Sequence, residues 1–337
     1  MQAEVVTPVR EAQHVERLRA AVNRALPTLV MQREPAALYD PVRHVLEGKG
    51  KRFRPVLLLL TAEAFGAETK AALPAALAVE VFHNFTLVHD DIMDHAAERR
   101  GRPTVHVKWD ESTAILCGDL LLALSYDLLT HLGTCIPLEQ VADVMQSYYP
   151  MVGRLCEGQT LDKLFETQPD VSVKDYLHMI DRKTGALLET AMEIGGRVGG
   201  ATEAHLRVLR QTGREVGRAF QIQDDLLDLT ADDARWGKTI GGDLIEGKKT
   251  LLLLRALERA SGDEQAWFRR IVDERGLPAA QVPEARERME RLGVLGEARE
   301  AVERHSATAL AGLDELPPGA AVETVRWLIG RMQARLH

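Results

Sequence analysis

The chain has 337 residues, 45 % of them hydrophobic and 27 % charged, enough for one large domain or two ordinary ones of globular type. Its formal net charge of −8 argues against nucleic acid as the main partner, since a phosphate backbone wants a basic field; a small phosphorylated ligand held by a local basic cluster stays open. Aromatic residues make up only 5 % while Leu and Ala dominate, which favours helix over sheet.

In chain order, residues 9–32 read as an amphipathic helix closed off by Pro35, and Tyr39–Gly50 ends in a turn rich in glycine and lysine. Pro55 opens an apolar helix over Val56–Phe65, with proline where its missing N–H is not needed. Pro74 starts a long helix that runs into Leu87-Val-His-Asp90-Asp91-Ile-Met-Asp94, followed by a polar loop of Gly and Pro content to Pro103. Helical periodicity resumes over Ser112–Leu132 and Leu138–Leu155, and again over Val173–Ile194, where Gly195-Gly196 reads as a C-cap. A helix over Glu203–Leu229 carries a second acidic stretch, Gln221-Ile-Gln-Asp224-Asp225-Leu-Leu-Asp228, and 230–247 is a loop of Gly, Asp and Lys. The remainder is helical, with breaks near Pro278, Pro283 and Pro317-Pro318. No strand-like alternation or linker composition is visible, so one all-α domain over 1–337 is expected, with its motifs in 48–250 and packing helices in 251–337.

Each acidic stretch puts carboxylates at i, i+1 and i+4 on one side of a helix. Carboxylates that close repel one another unless something positive sits there. A solvated acidic face explains one such cluster well. Two copies, each preceded by apolar residues, point instead to hard divalent cations, with magnesium the usual choice where phosphate is also bound. Cations flank both clusters. Gly48-Lys-Gly-Lys51-Arg52-Phe-Arg54-Pro55 puts four in a turn at a helix start, where backbone N–H groups and guanidinium forks suit an anion, although a solvated surface turn is the equal alternative for this motif alone. Arg99 and Arg100 follow the first cluster, Lys238 and Lys248 the second, and Lys183-Thr184-Gly185 interrupts a helical run. His83 lies two helical turns before Asp90, on the same side. No Ser-His-Asp or Cys-His nucleophile set, Walker loop or GxGxxG is present. Acids, bases and apolar helix in this order suit the ionisation of a diphosphate ester.

The blocks Gly50-Lys-Arg-Phe-Arg-Pro55, Glu80-Val-Phe-His83, Asp90–Asp94, Arg99-Arg-Gly-Arg-Pro-Thr104, Gly118-Asp119, Lys183-Thr-Gly185, Phe220–Asp228, and Gly237-Lys238 through Gly247-Lys248 together resemble the trans-isoprenyl diphosphate synthases, or polyprenyl synthetases, from about residue 40 to 260. The resemblance implies a bundle of antiparallel helices around a deep central cavity, usually homodimeric, with prenyl diphosphates as its small-molecule partners. It implies head-to-tail condensation of isopentenyl diphosphate with an allylic diphosphate. By matching position, Asp90, Asp91, Asp94, Asp224, Asp225 and Asp228 would hold magnesium, three ions per active site. Arg99, Lys183, Lys238 and Lys248 would bind the allylic diphosphate, and Lys51, Arg54, His83 and Arg100 the isopentenyl diphosphate. Thr184 and Gln221 would lie near the developing cation, and both motifs being complete favours an active enzyme over a non-catalytic, regulatory prenyl-diphosphate-binding subunit.

In such synthases bulk just before the first motif forms the floor of the elongation pocket. Here Phe85 stands five residues before Asp90 and Thr86 four, the pattern of enzymes that stop at C20; a C15 farnesyl product stays open because Phe82 would add a second block. Helix geometry puts Phe85 about 140° away from Asp90, so ordinary helix–helix core is its alternative.

Three cysteines, Cys117, Cys135 and Cys156, odd in number and without CxxC spacing, suit a reducing compartment and neither disulfides nor zinc. The N-terminus lacks an apolar signal core, and no run approaches membrane-spanning length, Val56–Leu60 being short and Leu120–Leu124 bracketed by Asp119 and Asp127. A cytoplasmic protein without a membrane span is expected.

Overall fold

The computed structural model describes residues 9–231 and 240–333. Among them the all-α expectation holds: the only strands are a two-residue pair, β1 (Glu98–Arg99) and β2 (Arg102–Pro103), closing an antiparallel hairpin in the loop after the first acidic cluster. The described chain divides into two compact units. One takes residues up to Tyr148 with Thr190–Leu209 and Glu315–Trp327; the other takes Tyr149–Glu189, Arg210–Asp314 and the residues from Leu328.

The first unit opens with α1 (Val9–Ala25), which tightens into a 3-10 turn over Leu26–Val30 where Pro27 cannot continue the α-helical ladder. After α2 (Ala36–Leu46) come α3 (Phe53–Ala64) and α4 (Thr69–Met93). Pro74 does not start α4 but sits inside it, since the helix begins at Thr69; that near its N-terminus, the proline removes one bond and the rest of the ladder proceeds. A short α5 (Val105–Lys108) leads to α6 (Glu111–Thr130), whose N-cap Asp110 accepts from the backbone N–H of Thr113 at 2.8 Å.

α4 and α6 form the most extensive helix pair of this unit, and α3 packs on α4. Both α4 and the stretch Glu111–Thr134 are long and apolar enough, by length and composition, to cross a membrane, which corrects the reading that nothing approaches that length. That reading counted unbroken apolar runs, whereas isolated polar residues leave the mean hydropathy high. A buried core helix passes the same test, and 67 % of the apolar window of α4 is buried.

The second unit is built around α7 (Leu138–Thr167), α8 (Val173–Ile180), a π-type turn over Asp181–Gly185, α9 (Ala186–Val198) and α10 (Glu203–Thr230), several of which also supply residues to the first unit. A capping box between Ser172 and Asp175 starts α8. α11 (Gly242–Ile245) follows, then α12 (Leu251–Arg259), α13 (Gly262–Asp273), α14 (Val282–Arg291), α15 (Val294–Leu313) and α16 (Ala320–Gln333). Pro283 lies in the first turn of α14, opening that helix.

Gly195 and Gly196 do not cap a helix; they lie inside α9. A Cβ on Gly195 would stand 2.5 Å from the Leu58 carbonyl oxygen of α3, so the glycine is there for close helix approach. The left-handed residue after α9 is Gly200, with φ +79°.

Candidate active site

The first acidic cluster occupies the last turns of α4. Asp91 is buried, 5 % exposed, and accepts from Arg99 Nε at 2.6 Å, with Arg99 Nη2 also 2.6 Å away. Burial pushes the Asp91 carboxyl above its usual range, and the Arg99 cation only partly offsets this. Arg99 reaches back because the hairpin turns sharply through Arg100 (φ +54°) and Gly101 (φ +71°). Asp90 is half-buried, and Asp94, at the C-cap, is exposed.

The cations expected at an isopentenyl diphosphate are gathered in this same unit. Arg54 Nη1 donates to His83 Nε2 at 3.2 Å, and Arg100 Nη1 donates to the Lys49 carbonyl at 3.2 Å, next to exposed Lys51. Burial first, then the guanidinium groups of Arg54, Arg100, Arg99 and Arg52, hold the His83 imidazole well below its usual value, so it is the neutral acceptor for Arg54.

Arg52 behaves differently from the other three cations of its turn. It is 4 % exposed with φ +49°, and its guanidinium points inward to Glu80 (2.6 Å), the Gly48 carbonyl (2.6 Å) and Asn23 (2.8 Å). Thus Arg52 holds the loop, while Lys51 is exposed and Arg54 meets His83. The visible signal in the sequence is Glu80, a lone charge inside an apolar helix three residues before His83.

Before the first motif, the Phe85 ring meets His89 edge-on at 4.9 Å and Phe82 at 5.4 Å. Phe82 is fully buried against Tyr148, 5.6 Å between centroids, and the Thr86 hydroxyl donates to the His83 carbonyl at 2.8 Å. Gly118 of α6 lies under His89, where a Cβ would stand 2.1 Å from Nε2.

In the second unit, Lys183 and Thr184 sit in the π-type turn, and Lys183 Nζ pairs with Asp162. Two glycines give that turn its room. A Cβ on Gly158 of α7 would stand 2.3 Å from the Lys183 nitrogen, and one on Gly217 of α10 would stand 2.6 Å from Gly185 Cα. The Thr184 hydroxyl donates to Gln221 Oε1 at 2.8 Å, Gln221 Nε2 donates to Asp225 Oδ1 at 2.9 Å, and the Tyr176 hydroxyl donates to Asp225 Oδ2 at 2.6 Å. Burial, and after it the charge of Asp243, pushes the Asp225 carboxyl up to about 8.

Asp224 is half-buried on the same helix, and Asp228 Oδ2 accepts from the backbone N–H of Asp243 at 3.1 Å, anchoring α11. Asp243 is the acidic residue that sequence reasoning missed, since it belongs to no repeated pattern and is brought in by the Gly241-Gly242 bend. A cavity of about 130 Å³ is lined by Asp162, Lys183, Thr184, Gln221, Asp225, Asp243 and Lys248 among others. Lys248 lies 2.7 Å from Glu246 and 3.8 Å from Asp243. Lys238 lies outside the described residues.

Among the described residues no group of three or more His, Cys, Asp or Glu side chains converges as a closed metal cage. The donor set nevertheless fits magnesium, which is commonly held by one or two carboxylates while water and phosphate oxygens complete its shell. The raised Asp91 and Asp225 are carboxyls whose charge lacks full compensation, the condition a bound cation relieves.

Residues 35–289 match the family model for polyprenyl synthetase. The chain is 42 % identical over 239 residues to the geranylgeranyl diphosphate synthase of Methanosarcina mazei, covering 71 % of this chain and 73 % of that protein. It is 36 % identical over 304 residues to the short chain isoprenyl diphosphate synthase of Methanothermobacter thermautotrophicus, covering 90 % and 92 %. Its fold is similar to that of the geranylgeranyl pyrophosphate synthetase crystal structure from Pyrococcus horikoshii, with TM-score 0.88, 34 % identity, and 96 % and 98 % coverage.

Proposed function

Because this chain belongs to the polyprenyl synthetase family, we propose that it is a prenyltransferase joining isopentenyl diphosphate head-to-tail to allylic diphosphates, with C20 geranylgeranyl diphosphate as its product. The observation that carries this is the pairing of acid with base in both units: Arg99 on Asp91 in one, and Lys183 and Lys248 around the cavity of Asp225 and Asp243 in the other. Both units belong to one catalytic domain in this proposal, since a single family model takes in residues of each.

In the reaction the allylic C–O bond breaks, the isopentenyl double bond attacks the resulting carbocation, and a proton leaves to the released diphosphate. Magnesium, three ions in all, would be held by Asp90, Asp91 and Asp94 in one unit and by Asp224 and Asp228 in the other, and would supply neutralisation of the departing diphosphate; Asp225, expected among the ligands, instead has both oxygens taken by Tyr176 and Gln221. Arg99, Lys183 and Lys248, with Lys238, take the allylic diphosphate. Lys51, Arg54, His83 and Arg100 take that of isopentenyl diphosphate, the neutral imidazole of His83 accepting from Arg54 and so steering its guanidinium. The Thr184 and Gln221 oxygens face the developing positive charge.

The C20 product, preferred over C15, is supported by Phe85 as the one aromatic near the motif with part of its ring open, since Phe82 is spent against Tyr148. Exposed Ile115 and Leu116 on α6, 44 % and 57 % exposed, support a homodimer. Buried Cys117 and exposed Cys135 and Cys156, all without disulfides, support the cytoplasm as its compartment.

The test is incubation of pure protein and magnesium with isopentenyl diphosphate and dimethylallyl, geranyl or farnesyl diphosphate, followed by sizing of the dephosphorylated products. A C20 alcohol is expected. Failure to elongate any primer overturns the proposal, and a C15 end product overturns the chain length.

A further inference from the structure

Tyr176 has no part in the chemistry just described, yet it is 1 % exposed and spends its hydroxyl on a residue of the second acidic motif, Asp225. Asp225 is equally enclosed, 4 % exposed, and its two carboxyl oxygens are taken by Tyr176 at 2.6 Å and Gln221 Nε2 at 2.9 Å. In this arrangement both Asp225 oxygens accept, Oδ2 from the Tyr176 hydroxyl and Oδ1 from the Gln221 amide, so the end of that amide meeting Asp225 is the NH2. The carbonyl end, Oε1, is thereby turned to the Thr184 hydroxyl, 2.8 Å away, beside the cavity that Thr184 and Gln221 line. A flipped amide would aim two N–H donors there instead, reversing the sign of the dipole beside a developing cation.

We infer that Tyr176 is a positioning residue: by fixing Asp225 it dictates which end of the Gln221 amide faces Thr184 and the reacting carbon. The inference rests on the prenyl-transfer function proposed above. Tyr176 also lines the cavity, but its hydroxyl is committed to Asp225, so its polar influence on the reacting centre is relayed. The relay runs from Tyr176 through Asp225 to Gln221.

Steady-state kinetics on Tyr176→Phe, Gln221→Leu and the double variant, with thermal melts of each, test the relay. Tyr176→Phe is expected to lower kcat about tenfold or more, from misplacement at the reacting centre, with both KM values within about twofold of wild type. In the Gln221→Leu background the same substitution is expected to change kcat by less than about twofold, because the amide through which it acts is gone. Wild-type kcat in Tyr176→Phe, an undiminished loss in the Gln221→Leu background, or a change confined to KM each overturns the inference. Should Tyr176→Phe fail to fold, Asp225→Asn carries the test in the same two backgrounds: its amide both donates and accepts, so it no longer selects one face of Gln221 and is expected to lower kcat in the otherwise wild-type enzyme but by less than about twofold in Gln221→Leu. Wild-type kcat in Asp225→Asn, or an undiminished loss in the Gln221→Leu background, overturns the inference as well. Wild-type turnover in the same assay tells loss of the relay from failure of the prenyl-transfer proposal, which an inactive wild-type protein would overturn.

Discussion

Arg52 and Glu80 form an ion pair closed off from solvent, 2.6 Å between Nη1 and Oε1, with each side chain 3 % exposed. Glu80 stands one helical turn before His83 on α4, and Arg52 caps α3 from a left-handed backbone. The pair thus ties the basic turn of residues 48–54 to the helix that carries the first acidic motif. Removing one partner of such a pair leaves a buried charge without compensation. Glu80→Gln is expected to cost about 3–5 kcal/mol in denaturant unfolding. A loss under about 1 kcal/mol would mean that the pair behaves as a surface salt bridge.

Lys51 and Arg54 belong to the same turn, Lys51 exposed and Arg54 Nη1 donating to His83 Nε2 at 3.2 Å. Replacing either by Ala removes a charge-assisted hydrogen bond to phosphate, which is worth about 1.5–3 kcal/mol, or roughly ten- to a hundredfold in KM. The rise is expected for isopentenyl diphosphate and not for the allylic substrate. Equal rises for both substrates refute the assignment.

Phe85→Ala is expected to lengthen the product beyond C20, because its ring, braced by His89 and Phe82, is the bulk just upstream of the first motif. Chromatography of the dephosphorylated products reads the result. An unchanged distribution would show that the floor is set elsewhere.

Gly217→Ala is expected to lower kcat and to destabilise by about 1–3 kcal/mol, since its Cβ would meet Gly185 Cα at 2.6 Å and displace the turn that carries Lys183 and Thr184. Gly153→Ala on the exposed face of α7 is the control. Nothing lies within 4 Å of its Cβ, so a gain of about 0.5–1 kcal/mol is expected from helix propensity. Calorimetry on both variants decides.

Glu189 gives the pH dependence. Burial alone would raise its carboxyl, but paired hydrogen bonds from Arg154 (3.0 Å each) and the Arg214 contact (3.2 Å) bring it below the usual 4.5. A depressed carboxyl releases its proton more readily in the folded state, so its stabilisation is whole above pH 4.5 and is lost as pH falls through the lowered value. Arg154→Ala should therefore lower Tm more at pH 7 than at pH 4. Equal losses at the two values would exclude this linkage.

Helices that are amphipathic or richly apolar were legible as periodic sequence, and the all-α class followed. Boundaries misled where glycine served packing: Gly195-Gly196 looks like a stop signal, but Gly195 is a contact between α9 and α3, whose backbone lies well over a hundred positions away in the chain, and Gly196 packs against Leu206 and Leu209. The π-type turn at Asp181–Gly185 was likewise hidden, because what permits it is Gly158 and Gly217 on other helices. Membrane-length apolar helices went unrecognised for a different reason. Polar residues interrupt their runs without lowering the average.

The sequence by itself determined the kind of chemistry, because carboxylates at helical spacing, with cations beside each cluster, are a local pattern that survives without coordinates. Only the tertiary structure decided what each charge does. Arg52 and Lys51 are neighbours in one basic turn, yet one is buried on Glu80 and the other exposed. Asp224 and Asp225 are neighbours in one motif, yet Asp225 has both oxygens committed to Tyr176 and Gln221. Consecutive residues on a helix point about 100° apart, so identical side chains meet different surroundings. Burial and partners, absent from any one-dimensional pattern, then set one into the framework and leave the other more exposed.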